Sequence, residues 1–156
     1  MIDLRQFRNL VIRPALMEID AFSVAAERLV LGTALVESNL QYIHQLGGGP
    51  AKGLFQCEPT THDDIWENYL RYKVDLMNKL RGLMIPRMDM VDQLHGNHFY
   101  AAAICRIHYM RVKKALPQPN DALGMASYHK KYYNSVLGAT DPAESVVHFQ
   151  TAIDLL

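Results

Sequence analysis

Glu37 ends an almost wholly apolar segment of the chain, which is an unusual place for a carboxylate. At helical spacing, Val30 and Ala34 lie on the same side as Glu37. A helix C-terminus and an apolar surround both disfavour a negative charge, which suits a group that donates a proton as a general acid. The alternative is a buried carboxylate in a salt bridge with Arg106, and helix geometry alone favours that alternative.

The residues after Glu37 form a glycine-rich loop that ends in an apolar pair and an amide. The chain reads Glu37-Ser38-Asn39-Leu40 before the loop and Gly53-Leu54-Phe55-Gln56 at its end. This pattern resembles the catalytic segment of soluble lytic transglycosylases and goose-type lysozymes, in which Glu-Ser at a helix end precedes Gly-Leu-Met/Phe-Gln. The family usually has Gly-Ala-x-Gly before that Leu, where this chain has Pro50-Ala51-Lys52-Gly53.

The resemblance implies an all-α, lysozyme-like domain that cleaves the MurNAc–GlcNAc bond of peptidoglycan without a cofactor or a metal. Glu37 would act as general acid and then as base. Contacts with the glycan strand are expected from Ser38, Gly53, Leu54, Phe55, Gln56 and Tyr128. Gln56 and the Gly53-Leu54 backbone would offer donors and acceptors to N-acetyl groups, although a hydrogen bond that braces the loop is the alternative for Gln56.

A tyrosine of the site is expected from the later part of the chain. Met125-Ala126-Ser127-Tyr128 resembles the family's Ala-Ala-Tyr-Asn segment, which implies that Tyr128 overhangs Glu37. In this chain His129 stands where the family has Asn. Tyr133-Asn134 followed by Gly138 fits the same segment in another register, so two tyrosines remain as candidates.

A second catalytic carboxylate is not evident in the sequence. Most glycosidases use two carboxyl groups, and Glu58, Asp63 and Asp64 all fall where a surface loop or a first helical turn is expected. Transglycosylases of the resembled family use one Glu, with the substrate's N-acetyl group as nucleophile and its 6-hydroxyl in place of water. This interpretation favours a lytic transglycosylase over a hydrolytic muramidase.

Other chemistries have weaker support in the sequence. The pairs in His62-Asp63-Asp64 and His95-x-x-His98 lack the further Cys or His ligands of a zinc site, so no metal is expected. Lys52 has neither the glycine before it nor the Ser or Thr after it that a phosphate loop requires. Only two cysteines, Cys57 and Cys105, occur in a domain of this size, which predicts reduced thiols. A single disulfide between them is the alternative.

Length and charge restrict the class of protein. A chain of 156 residues and 17.7 kDa suits one domain, 1–156. Sixteen basic and sixteen acidic residues balance, so neither nucleic acid nor a membrane surface is an expected partner. The longest apolar run, 29–36, is too short to insert into a membrane.

An early acid and the lack of an apolar run at the N-terminus predict no signal peptide. The resemblance is strongest to bacteriophage-borne members of the family. A location in the phage virion or the host cytoplasm is therefore expected, with action on the periplasmic cell wall. Peptidoglycan strands are the expected partner, and other virion proteins are further candidates. The rival interpretation is a virion or tail protein that keeps the fold for assembly or glycan binding.

The apolar spacing of three and four residues predicts helices almost throughout the chain. The predicted helices are 3–19 with a kink or break at Pro14, 21–38 capped by Asp20 or Ser23, one that starts after Pro59 with Thr60 or Thr61 as its cap and runs to about Arg81, 95–114, one from Asn120 or Asp121 to about Asn134, and one opening at Asp141.

Overall fold

The computed structural model describes residues 1–134 and 140–156, and the regular structure in these ranges is helical. The predicted all-α class is confirmed. The α-helices are α1 (Leu4–Phe7), α2 (Arg13–Glu18), α3 (Val24–Ser38), α4 (Pro59–Asn68), α5 (Val74–Arg81), α6 (Gln93–Gly96), α7 (His98–Met110), α8 (Ala122–Tyr132) and α9 (Pro142–Asp154), with a π-helical turn at Arg8–Ile12 and 3₁₀ turns at Leu46–Gly48 and Leu70–Tyr72.

The chain stays helical through Pro14, so the helix does not break there, but its regular α geometry is interrupted just ahead of the proline. The π-helical turn Arg8–Ile12 joins α1 to α2, and Pro14 lies in the first turn of α2. Proline has no N–H to donate and its ring crowds the carbonyl one turn earlier, so a wider turn ahead of it relieves both problems.

Helix α3 carries Glu37 and has well-defined ends. Ser23 caps its start, because its Oγ accepts a hydrogen bond from the Ala26 N–H at 3.0 Å. Of the two predicted caps, Ser23 is therefore correct. The helix ends at Ser38, as predicted, because Asn39 and Leu40 both adopt the left-handed conformation, with φ of 50° and 54°.

The prediction of one long helix from Pro59 to Arg81 is wrong. The chain forms α4, a 3₁₀ turn and α5, with non-helical backbone at Tyr69 and Lys73. The turn buries Leu70 completely in a core cluster that also contains residues of α4 and α5. This packing overrides a helical spacing that the sequence alone cannot distinguish from a continuous helix. Pro59 opens α4 and no side chain caps it, so neither Thr60 nor Thr61 is the cap.

The predicted helix 95–114 is shorter than expected, because α7 begins at His98 with Asn97 as its cap and ends at Met110. Asp121 and Asp141 cap α8 and α9, as predicted. Helix α9 packs against α3 and α8. Gly32 allows this close approach, since a Cβ atom there would lie 2.2 Å from the Phe149 ring.

Two core clusters stabilise the fold, and α7 contributes to both of them. Ala102 and Cys105 belong to the cluster with α3, α8 and α9, while Ile104 and Ile107 belong to the cluster with α4 and α5. Helix α7 therefore joins the part of the core that contains α3, α8 and α9 to the part that contains α4 and α5.

Candidate active site

Glu37 forms its hydrogen bond with His129, on helix α8. The Oε1 atom of Glu37 lies 2.7 Å from His129 Nε2. The His129 side chain is fully buried, whereas 13% of the Glu37 side chain is exposed. The alternative of a salt bridge with Arg106 is wrong, because Arg106 Nε donates to the Ala21 carbonyl at 3.0 Å and forms no ion pair within the described residues. Glu37 is therefore held from one side and open on the other.

The surroundings of His129 indicate which ring nitrogen carries the proton. Its Nδ1 atom is buried and has no hydrogen-bond partner among the described residues. A buried N–H without an acceptor is rarely tolerated. We therefore assign the neutral tautomer with hydrogen on Nε2, which donates to Glu37 Oε1 and leaves Oε2 for other interactions.

Glu37 lies in the wall of a cavity of about 520 Å³. Polar side chains make up much of the lining, including those of Tyr42, Gln45, Gln56, Glu58, Thr61 and Asn134. Cavities of this size hold small molecules or one or two sugar rings. The site thus combines a carboxyl group with hydrogen-bonding groups suited to a polar ligand.

Ser38 does not line this cavity and instead joins α3 to the loop. Its side chain is buried, and its Oγ donates to the Leu54 carbonyl at 2.7 Å. The same Oγ accepts from the Leu40 N–H at 3.2 Å. Ser38, predicted as a substrate contact, therefore positions the loop beside Glu37.

The segment Gly53-Leu54-Phe55-Gln56 divides between the core and the cavity. Gly53 has a φ of +79°, and a Cβ atom there would lie 1.9 Å from the Leu94 carbonyl oxygen, so only glycine fits. Leu54 and Phe55 are buried in the core cluster that contains α3. Gln56 lines the cavity, and its side-chain Nε2 also donates to the Gly53 carbonyl at 2.9 Å.

Of the two candidate tyrosines, the structure places Tyr133 beside Glu37. Its ring packs between those of His129 and His108, with centroid distances of 5.5 and 4.5 Å, and its hydroxyl donates to the Phe55 carbonyl. Tyr128 lines a different cavity, and its hydroxyl donates to the Lys114 carbonyl at 3.0 Å.

The prediction that Tyr128 overhangs Glu37 is therefore not met, and helical geometry explains why. Residues four apart, such as His129 and Tyr133, lie on one face of the chain as it leaves α8, while Tyr128 lies on the neighbouring face. Gly138, which belongs to the alternative register, lies outside the described residues.

Several residues of the cavity were not expected as site residues from the sequence. Glu58 is exposed in the loop before α4, as predicted, and it also lines the cavity. Its position two residues after Gln56 was the available signal. The only sign of His129 in the sequence was that it stands where the resembled family has Asn. By contrast, Asp64 is turned away from this cavity and pairs with Arg111.

His108 also lines the cavity and is only 8% exposed. Burial, with a smaller contribution from the nearby Arg111 charge, lowers the pKa of His108 to about 3. Its ring therefore remains neutral in the folded protein over the whole range in which a histidine normally titrates.

We expect His108 to make the fold less stable in mild acid. Between its unfolded pKa of about 6.5 and the folded value of about 3, the unfolded chain binds a proton that the folded chain does not, so stability falls as the pH drops. At pH 5 this amounts to about 2 kcal/mol. Urea unfolding at pH 7.5 and pH 5 should show a smaller pH difference for His108→Gln than for the wild type. Equal differences in the two proteins would contradict this assignment.

The described residues contain no group of three or more His, Cys, Asp or Glu side chains placed to hold a metal ion. Cys57 and Cys105 are both buried free thiols. None of the helices in the described ranges has the length and apolar character needed to cross a bilayer. Comparisons with protein-family models, with curated proteins and with solved structures gave no match to this chain.

Proposed function

We propose that this protein cleaves the β-1,4 bond between MurNAc and GlcNAc in peptidoglycan, with Glu37 as the proton donor. One observation carries the proposal: a carboxyl group at a helix end, largely buried but open to a polar cavity large enough for sugar rings, and held by a buried histidine. The resemblance of the Glu-Ser and Gly-Leu-Phe-Gln segments to lytic transglycosylases points to the same chemistry.

In this mechanism the two oxygens of Glu37 have different tasks. His129 holds Oε1, so the proton is carried on Oε2 and passes to the glycosidic oxygen as its bond to the sugar carbon breaks. The N-acetyl oxygen of the same sugar attacks that carbon from the opposite face. The 6-hydroxyl then displaces the N-acetyl oxygen and returns its proton to Glu37, which gives a 1,6-anhydro sugar.

Gln56 and Tyr133 support this chemistry by their placement. The Gln56 side chain lines the cavity while one of its N–H groups braces the loop, so its remaining donor and its acceptor are available to an N-acetyl group. The Tyr133 hydroxyl fixes the Phe55 carbonyl and its ring covers His129, which keeps water away from the histidine that holds Glu37.

Hydrolysis is a second candidate, and Glu58 is the observation that favours it. Glu58 lines the same cavity as Glu37 and is exposed. An inverting hydrolase uses a second carboxylate as a base that activates water on the opposite face of the sugar. In this candidate Glu37 keeps its role as proton donor, and only the product differs.

We expect purified sacculi incubated with the protein to release 1,6-anhydromuropeptides, which are one water lighter than hydrolysis products. Chromatography and mass measurement of the fragments test this. Glu58→Gln should retain the anhydro product, because the N-acetyl group supplies the nucleophile. Reducing MurNAc ends that disappear in Glu58→Gln would support the hydrolase instead. Multimers of the chain with no fragment release would contradict both and support a virion assembly role.

A further inference from the structure

A second cavity, of about 370 Å³, adjoins the cavity that contains Glu37. We call it the side cavity, and its lining includes Thr60, Thr61, Asp64, His108, Arg111 and Lys131. Thr61, His108 and Tyr133 line both cavities. The two cavities therefore share part of their walls, and a ligand bound at Glu37 lies next to the side cavity.

The side cavity carries two cationic groups and one acid. The Arg111 guanidinium pairs with Asp64 through Nη1, but its Nε is buried and has no hydrogen-bond partner among the described residues. Lys131 is exposed, and its Nζ lies 5.4 Å from the Tyr132 ring centre. Neither interaction uses all the donors of these two side chains.

Helix α4 adds to the positive character of this cavity. Thr60 and Thr61 lie in its first turn, where backbone N–H groups and the helix dipole favour an anion. His108, at the boundary between the two cavities, is 8% exposed and its Nδ1 has no partner among the described residues. The side cavity is thus lined by the N-terminus of α4, the Arg111 guanidinium, the Lys131 ammonium and the His108 imidazole.

The charges of the two cavities differ in sign. Glu37 and Glu58 line the first cavity, whereas Arg111 and Lys131 line the side cavity and outnumber Asp64. The carboxylates of the first cavity would repel an anionic group but not a neutral sugar, whereas the cations of the side cavity would attract an anionic group on the same ligand. The 3-oxygen of MurNAc carries such a group, a lactyl carboxylate that is free or extended by an acidic peptide.

We propose that the side cavity binds the carboxylate of the branch that MurNAc carries, so that the protein prefers branched, anionic glycans to neutral ones. This inference rests on the proposed function and names its substrate class. Lys131 and Arg111 are the recognising residues, and Asp64 competes with the ligand for Arg111. The carboxylate can belong to the lactyl group or to the peptide, and ligands with and without the peptide distinguish these two sources.

Binding is measured by calorimetry on the Glu37→Gln protein, so that no ligand is cleaved. The three ligands are GlcNAc–GlcNAc, which is neutral, GlcNAc–MurNAc, and GlcNAc–MurNAc bearing its peptide. We expect both anionic ligands, or only the peptide-bearing one, to bind more tightly than the neutral disaccharide. The first result assigns the site to the lactyl carboxylate and the second to the peptide. The preference should weaken as salt is added.

Three variants of this protein give opposed expectations. Lys131→Gln should weaken binding of the anionic ligand about two- to five-fold, the range of an exposed ion pair, and leave GlcNAc–GlcNAc unchanged. Asp64→Asn should strengthen anionic binding, because it frees Arg111. Lys113→Gln, which removes the same charge from an exposed residue that does not line the side cavity, should change neither.

Equal binding of the three ligands, or equal effects of Lys131→Gln and Lys113→Gln, would overturn the inference. The cleavage of sacculi by the unmodified protein is measured separately. Cleavage of sacculi without a preference for anionic ligands would contradict the role of the side cavity but not the proposed function. The absence of both cleavage and saccharide binding would contradict the proposed function and the role of the side cavity.

Discussion

Replacing Glu37 with Gln should lower the rate of peptidoglycan cleavage by about 10²–10⁴-fold, the contribution of a well-placed general acid. Gln has the same shape, and its Oε1 can still accept from His129 Nε2, which is 2.7 Å from Glu37 Oε1 in the native protein. What is lost is the proton on the other oxygen. The rate of release of soluble fragments from purified sacculi measures the effect.

The control for this variant is Glu67→Gln, which changes an exposed glutamate on α4 away from the cavity. Both variants should keep the helical circular dichroism and the thermal midpoint of the wild type. Retention of more than about a tenth of the wild-type rate by Glu37→Gln would show that another group donates the proton.

Gly53→Ala should destabilise the fold by about 2–5 kcal/mol, from backbone strain and overpacking together. Gly53 has a φ of +79°, which strains any residue with a Cβ atom. The added Cβ would also lie 1.9 Å from the Leu94 carbonyl oxygen, which is backbone and cannot rotate away. The loop or α6 must move, and Gln56 moves with the loop. Urea unfolding measures the loss.

Gly48→Ala separates the two contributions. Gly48 has a φ of +81°, and nothing lies within 4 Å of a Cβ atom built there, so this variant has the backbone strain without the collision. We expect it to lose only about 1–2 kcal/mol. Equal losses in the two variants would mean that the contact with Leu94 does not constrain the loop.

The sequence was sufficient to predict the start and end of α3 and the starts of α8 and α9, because these ends depend on neighbours in the chain. Ser23, Asp121 and Asp141 each accept a hydrogen bond from a backbone N–H two or three residues later, which is a property of the residue type at that position. The end of α3 at Ser38, and with it the place of Glu37, follows from the same local rules.

Local rules failed where burial decided between similar patterns. The stretch from Pro59 to Arg81 has helical spacing throughout, yet the chain turns at Tyr69 and Lys73 so that Leu70 enters the core. The choice between Tyr128 and Tyr133 failed for a related reason. Helix α8 has apolar or aromatic residues on more than one face, so its sequence does not specify the rotation that brings Tyr133 to the cavity.

The sequence by itself determined an all-helical chain with a carboxyl group at the end of an apolar helix and a glycine-dependent loop behind it. Only the tertiary structure decided the partner of that carboxyl group, since Glu37 and His129 are 92 residues apart. It also brought Glu58 to the same cavity and placed cations beside it. Such contacts depend on how α3, α4, α7 and α8 pack, and hydrophobic spacing specifies which face of a helix is buried but not which neighbour covers it.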